Sequence, residues 1–356
     1  MGRRKKTDDQ MNFLELHNQK ESRVAVKKKQ RKEAMTSTYK LVRNVLVAGS
    51  LIGAGVYFFV MWYFSETPVK THYGFDVDLI AEIVADVTRP QGIQDVGFSM
   101  NSEYALLINI TTGRAIFDHQ ADVRTFPASV TKIMTVLVGL ESGDLDDEVT
   151  IVADFDALFL AGASQAGFVN GEVRTLEEVL YAIMLPSGAE ATWALTNHVA
   201  GSYEGFVDLM NIKAQELGMV DTHFVTATGL HDDNHYTTAN DIAILLTYAL
   251  ENPIFRDIFT ARHFQLNSPN TRGDFMEATL YTFAPTLEFD GGEIIGGRTG
   301  FTTPAGRCLA SLATNGIDEF ILITFGALDP DFTNTTIHIL DALTIYEYFL
   351  TRFNIW

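Results

Sequence analysis

The chain has 356 residues, enough for a sizeable buried core. A hydrophobic content of 47 % excludes a disordered acidic chain, and a single cysteine, Cys308, excludes an internal disulfide framework. The net charge of −19 joins two unlike parts: residues 1–43 hold 13 Lys and Arg against 5 Asp and Glu, a net of +8, and residues 44–356 hold 13 against 40, a net of −27.

Between these parts lies "NVLVAGSLIGAGVYFFVMWYF", Asn44 to Phe64, without charge or proline. Its length suits one membrane-spanning helix of ~20 residues. Trp62 and Tyr63 stand at its far end, where aromatic rings favour the interface, and Lys40 and Arg43 flank the near end after "KKKQRK". The expectation is a cytoplasmic N-terminus over residues 1–43, a span over 44–64 and an extracytoplasmic stem over 65–98. A cleaved signal peptide fits less well, given the long basic lead, the length of the run and the lack of a small-x-small site after it. Beside a span, the basic lead reads as a topology signal that touches anionic lipid. The acidic exported part disfavours nucleic acid as a partner. Gly49 and Gly53 form GxxxG, but small residues are common in such helices. "MGRRKK" has Lys6 where myristoylation needs Ser or Thr.

From about Ser102 the pattern is globular. "EYALLINITTGRAIFDHQA" predicts two strands around a turn at Thr111–Gly113. A helix is predicted from Ser129 through "VTKIMTVLVGLES" to Gly143. "TLEEVLYAIMLPSG" carries Thr175 and Glu178 at capping-box spacing, with Leu176, Val179, Leu180 and Ile183 on one face. "EGFVDLMNIKAQELG" ends at Gly218, a predicted C′ glycine. "TTANDIAILLTYALENP" carries Thr238 and Asp241 at capping spacing, with Pro253 beyond the end. "RCLASLATNGIDEFILITFGA" predicts a hairpin around Asn315–Gly316, and a final helix is predicted over 335–352. Strands, then helices, then strands and a helix give an α+β domain over 99–356, with an antiparallel sheet built from both ends of the chain.

The chemistry starts at "PASVTKIMT". Ser129 and Lys132 lie at i and i+3, so their side chains share one face. A serine hydroxyl needs a nearby base, and a lysine serves only if burial or a second cation lowers its pKa. After residue 43 only Lys70, Lys132 and Lys213 remain, and Lys132 precedes the apolar "IMTVLVGL", where a charged amine is expensive. Alone, the pattern is that of a capping serine and a snorkelling lysine. Ser187-Gly188 after a capped helix and Arg298-Thr299-Gly300 at a hairpin change the balance. Serine–lysine acyl-transfer enzymes use S-x-x-K, S-x-N and K-T-G in this order.

Over residues 102–350 the chain resembles the serine-type D-alanyl-D-alanine carboxypeptidases (peptidase family S11), low-mass penicillin-binding proteins. "PASVTKIMT", "GFVDLMNIKAQELGMVDTHFVTATGLHDDNHYTTANDIAIL" and "GGRTGFTTPAGRCLA" carry the resemblance. It implies the penicillin-recognising transpeptidase/β-lactamase fold, an antiparallel sheet with a helical subdomain and the site between them. It implies Ser129 as nucleophile, Lys132 as base and Ser187 as proton carrier. Arg298 and Thr299 are expected to bind the terminal carboxylate of a peptidoglycan stem peptide. Gly300 and Phe301 continue the substrate strand, and the N–H groups of Ser129 and Phe301 are the implied oxyanion hole. β-Lactams are expected to acylate Ser129, and no metal or organic cofactor is implied.

Two positions depart from the family. Its third element usually carries Lys where this chain has Arg298, which holds a carboxylate by two parallel bonds but shares no proton. Its second element usually has Asn where this chain has Ala189, followed by Glu190; the sequence leaves open whether Glu190 or a water replaces the amide. The family often has a β-rich C-terminal domain and a C-terminal anchor; here the sequence ends at Trp356 and the N-terminal span is expected to anchor it.

Three rival readings remain. An inactive relative that binds wall peptide takes its support from the two departures. A metal hydrolase takes its support from "HDDNH", His231 to His235, although that stretch reads as a loop before a capped helix. A β-lactamase needs a carboxylate for its deacylating water, for which Glu190 or Glu172 is available. Cys308, in an apolar strand, reads as a small buried hydrophobe, and residues 264–293 are expected near the site entrance.

Overall fold

Near-continuous apolar runs at both ends of the globular part build one sheet. The computed structural model describes residues 97–284, 286–329 and 334–352. The expected basic segment, the 44–64 span and all but the last residues of the 65–98 stem lie outside the described residues. Among the described residues no helix is long and apolar enough to cross a membrane.

Strands β1 (Tyr104–Asn109) and β2 (Arg114–His119) pair antiparallel across the expected turn. There Asn109 Oδ1 accepts the Thr112 N–H at 2.9 Å, and Gly113 takes a left-handed φ of +72°. A 3-10 turn (Ala128–Thr131) follows and runs straight into α1 (Lys132–Ser142). The expected helix therefore exists, but its first turn is tighter than α and carries Ser129. Every residue of α1 from Lys132 to Leu140 is buried, so α1 is the axis of the helical part.

Around it stand the small β3 (Glu148–Thr150), α2 (Phe155–Leu160), β4 (Val173–Thr175), which pairs with β3, and α3 (Leu176–Met184). They are followed by α4 (Ala189–Ala200), α5 (Tyr203–Glu216), α6 (Ala239–Leu250) and α7 (Pro253–Thr260). The capping box of Thr175 and Glu178 forms in full, and Thr238 Oγ1 accepts the Asp241 N–H. Gly218 follows α5 with φ +74°. Pro253 lies beyond the end of α6, as expected, and occupies the first turn of α7, where its missing N–H is harmless and the Asn252 side chain caps Ile254.

The chain then forms the β5 (His263–Asn270) and β6 (Gly273–Glu277) hairpin, α8 (Thr279–Phe283), β7 (Glu288–Phe289), β8 (Gly292–Thr302), β9 (Gly306–Thr314), β10 (Glu319–Ala327) and α9 (Ile337–Arg352). The main sheet has the order β2-β1-β10-β9-β8-β7 and is antiparallel throughout, so its centre joins the first described strand to the last.

Both faces of this sheet are covered, which explains why β1, β9 and β10 are apolar almost without interruption. Leu106, Ile108, Leu312, Ile321 and Ile323 face the helical part, whereas Leu107, Leu309, Phe320 and Leu322 face Ile339, Ile345, Tyr346 and Phe349 of α9. Asp341 ties the two ends together by accepting the backbone N–H groups of Asn101 and Ser102.

Candidate active site

The 3-10 turn that carries Ser129 is pressed between β8 and the 225–236 loop, and glycines permit the approach. A Cβ on Gly300 would sit 2.8 Å from the Ser129 nitrogen, and a Cβ on Gly229, whose φ is +78°, would overlap the Ala128 carbonyl. Ala128 itself has φ +47°, a strained value for a residue with a side chain.

The turn is braced from below. Thr131 Oγ1 donates to the Ala128 carbonyl at 2.7 Å and lies 2.8 Å from His235 Nε2. His235 Nδ1 accepts the Val225 N–H at 3.2 Å, so Nε2 carries the proton and donates to Thr131. Burial pushes His235 down to about 3, which keeps it neutral. His231 instead pairs with Asp233 at 3.3 Å and packs edge-on to Phe126. The two histidines thus serve different neighbours and do not converge as a ligand pair.

Lys132 points back over the turn. Its Nζ lies 3.4 Å from Ser129 Oγ and donates to the Thr228 carbonyl; the side chain is 2 % exposed. One turn on, Thr135 Oγ1 donates to the Ala227 carbonyl at 2.7 Å, so α1 holds residues 227–228 at two points. Burial, and secondarily the Arg298 cation, push Lys132 well below the usual lysine range, while Glu190 pulls it partly back. An uncharged amine is then available as a base.

Ser187, between α3 and α4, adopts φ +70° and places Oγ 3.2 Å from Ser129 Oγ. Arg298, in the middle of β8, is 1 % exposed and bridges the other elements. Its Nε donates to the Ser129 carbonyl at 3.1 Å, one terminal nitrogen to the Met184 carbonyl at 3.0 Å, and the other to Ser187 Oγ. Burial lowers the guanidinium to about 9, so it stays cationic at neutral pH. Thr299 Oγ1 meets Thr279 Oγ1 at 2.9 Å, which places part of the 264–293 segment against the site. Gly300 packs on the serine turn, and Phe301, 44 % exposed, lies beneath the Arg307 guanidinium.

All the sequence-predicted site residues therefore fall on the serine turn, the Ser187 loop and one stretch of β8. Reading the sequence missed Thr228, whose carbonyl holds Lys132, and underrated Glu190 and His235, both buried. Glu172, the other carboxylate considered, instead pairs with Arg174 of β4. Cys308 is fully buried, and burial pushes its thiol up to about 12.

A family model described as D-alanyl-D-alanine carboxypeptidase, peptidase S11, matches residues 89–329. The chain belongs to this family. It is 33 % identical over 253 residues to the D-alanyl-D-alanine carboxypeptidase DacF of Bacillus subtilis, a match over 68 % of this chain and 62 % of that relative. It is 29 % identical over 239 residues to the D-alanyl-D-alanine carboxypeptidase of Streptomyces sp. strain K15, covering 65 % of this chain and 79 % of that one. The crystal structure of the Streptomyces K15 DD-transpeptidase superimposes with a TM-score of 0.62 at 28 % identity, over 70 % of this chain and 97 % of that chain. The fold is that of the penicillin-binding DD-peptidases.

Proposed function

We propose that this protein is a serine-type D-alanyl-D-alanine carboxypeptidase that removes the terminal D-alanine from peptidoglycan stem peptides. The observation that carries the reading is the position of Ser129 Oγ, 3.4 Å from a buried Lys132 amine and 3.2 Å from Ser187 Oγ, with Arg298 behind both serines.

In this mechanism the terminal carboxylate of the substrate meets Thr299 and the Arg298 N–H groups not already engaged. Lys132 takes the Ser129 proton as Oγ bonds to the penultimate carbonyl carbon. The N–H groups of Ser129 and Phe301 hold the oxyanion, and fixed donors of this kind contribute ~3 kcal/mol each. The C–N bond to D-alanine breaks as Ser187 gives its proton to the leaving nitrogen and is resupplied by the Lys132 ammonium. Water, deprotonated by Lys132, then hydrolyses the acyl-enzyme. A β-lactam follows the same path and stops at the acyl stage. The hydrophobic run 44–64 anchors the protein, with the catalytic part outside the cell.

The full chain in detergent, incubated with diacetyl-Lys-D-Ala-D-Ala, is expected to release D-alanine. Ser129→Ala is expected to lower release by at least about 10³-fold. No release by the unaltered protein, or equal release by Ser129→Ala, contradicts the proposal.

A further inference from the structure

β8 presents an open edge beside the serine turn. β9 pairs with it from Glu293 to Thr302, whereas β7 reaches only Gly292 and Glu293 on the other side. Among the described residues, the edge beside Arg298–Thr302 therefore has no strand partner. In the reaction proposed above the substrate lies along this edge, with its terminal carboxylate at Thr299 and its scissile carbonyl at the Phe301 N–H. The cations behind the edge are hard to reach. Lys132 and Arg298 are 2 % and 1 % exposed, and each Arg298 nitrogen already donates to a protein oxygen.

A half-buried guanidinium stands on the open side. Arg307, on β9, lies directly opposite Phe301 in the antiparallel register, and Leu309 lies opposite Thr299. Side chains alternate along a strand, and Gly300 faces the serine turn, so Thr299 and Phe301 share the other face with Arg307. Arg307 is the diagonal neighbour of Thr299, about 7–8 Å away and within reach of a long side chain. Its guanidinium carbon lies 4.9 Å from the centre of the Phe301 ring, so the side chain leans over β8 toward the open edge. Stacking on this ring holds the planar group in place. Among the described residues no hydrogen bond or ion pair occupies the guanidinium. Burial lowers its pKa and Asp329 pulls it partly back, and it stays cationic.

We propose that Arg307 is a substrate-binding residue that selects peptides with a free C-terminal carboxylate. The inference rests on the carboxypeptidase reading: Thr299 and Arg298 meet one side of the carboxylate, and Arg307, held on Phe301, meets the oxygen that faces solvent. A guanidinium offers a carboxylate two parallel N–H donors. Residues 44–356 carry a net charge of −27, which repels an anionic terminus and makes a reachable cation at the edge more valuable. The contact is lost with a peptide whose C-terminus is amidated or runs on into a further residue. Arg307 thus favours removal of a last residue over cleavage within a chain.

The test compares diacetyl-Lys-D-Ala-D-Ala with its C-terminal amide, using the full chain in detergent and mass spectrometry of the released D-alanine or D-alaninamide. The unaltered protein is expected to prefer the free acid in kcat/KM by at least about 10²-fold. Arg307→Gln is expected to raise KM for the acid about tenfold or more and to leave its kcat within about threefold. The same change is expected to leave kcat/KM for the amide within about threefold, so the preference falls. Arg307→Lys, which keeps the charge without the fork, is expected to lie between Gln and wild type. Equal losses on acid and amide mean that Arg307 merely packs on Phe301, and overturn the inference, as does an unchanged preference. Should Arg307→Gln not fold, Arg307→Lys decides alone: an undiminished preference for the acid overturns it. If the unaltered protein cleaves neither peptide, the carboxypeptidase reading fails and this inference fails with it. Release of D-alanine with an unchanged preference in the variants leaves that reading standing and removes only Arg307.

Discussion

Arg298 shows what a single side chain decides here. A lysine at this place is a point donor, whereas the guanidinium reaches the Ser129 carbonyl, the Met184 carbonyl and Ser187 Oγ at once. Arg298→Met is expected to slow acylation by a fluorescent penicillin about 10²-fold or more, since it removes a cation and frees Ser187. It also leaves buried acceptors unpaired, at about 1–3 kcal/mol of stability read by thermal melting. Arg298→Lys is expected to stay within about tenfold of wild type in acylation rate. Equal rates for Met and Lys would remove Arg298 from the mechanism. At this scale the sequence was informative, because S-x-x-K, a second serine and Arg-Thr-Gly are short words written in the chain. It did not show that the guanidinium turns inward to the serines, because that depends on the depth of β8 behind the turn.

Among the elements, the 225–236 loop has the most consequence. It supplies the Thr228 carbonyl to Lys132 across 96 residues of sequence and His235 to Thr131 across 104. Its fit depends on Gly229, which has a left-handed φ and no room for a Cβ against Ala128. Gly229→Ala is expected to displace the serine turn, lower the melting temperature and reduce acylation by at least about tenfold. An unchanged melting temperature and rate would show that the loop does not brace the site. Helix caps such as Thr175–Glu178 were legible because both partners lie within one turn of sequence. "ATGLHDDNH" gave only a polar loop, because its partners are far away in the chain. Pro253 lies past the end of α6 as read, but that it also opens α7 was not legible, because a proline that follows one helix also suits the first turn of the next.

For the molecule as a whole, acid sensitivity follows from two buried imidazoles. His235 and His338 are both pushed down to about 3, chiefly by burial, against an ordinary 6.5. Between these values the unfolded chain binds protons that the folded chain does not. Their contribution to stability is therefore full above pH 6.5 and is lost as pH falls toward 3, at ~1.4 kcal/mol per pH unit for each histidine. Neither nitrogen of His338 has a hydrogen-bond partner among the described residues, so His338→Leu is expected to keep the fold and flatten the slope. Melting temperatures at pH 5 and 7 measure this, and an unaltered slope would contradict it. The α+β class was readable from element order, and the closure of the sheet by strands from both ends from apolar runs at both ends. The strand register and the burial of Arg298 and Glu190 emerge only when the two faces are packed together. The most direct test of the central claim is peptide mapping by mass spectrometry after the full chain is treated with benzylpenicillin. The account predicts one penicilloyl adduct, on Ser129, and none in Lys132→Met; an adduct elsewhere, or none on the unaltered protein, would contradict it.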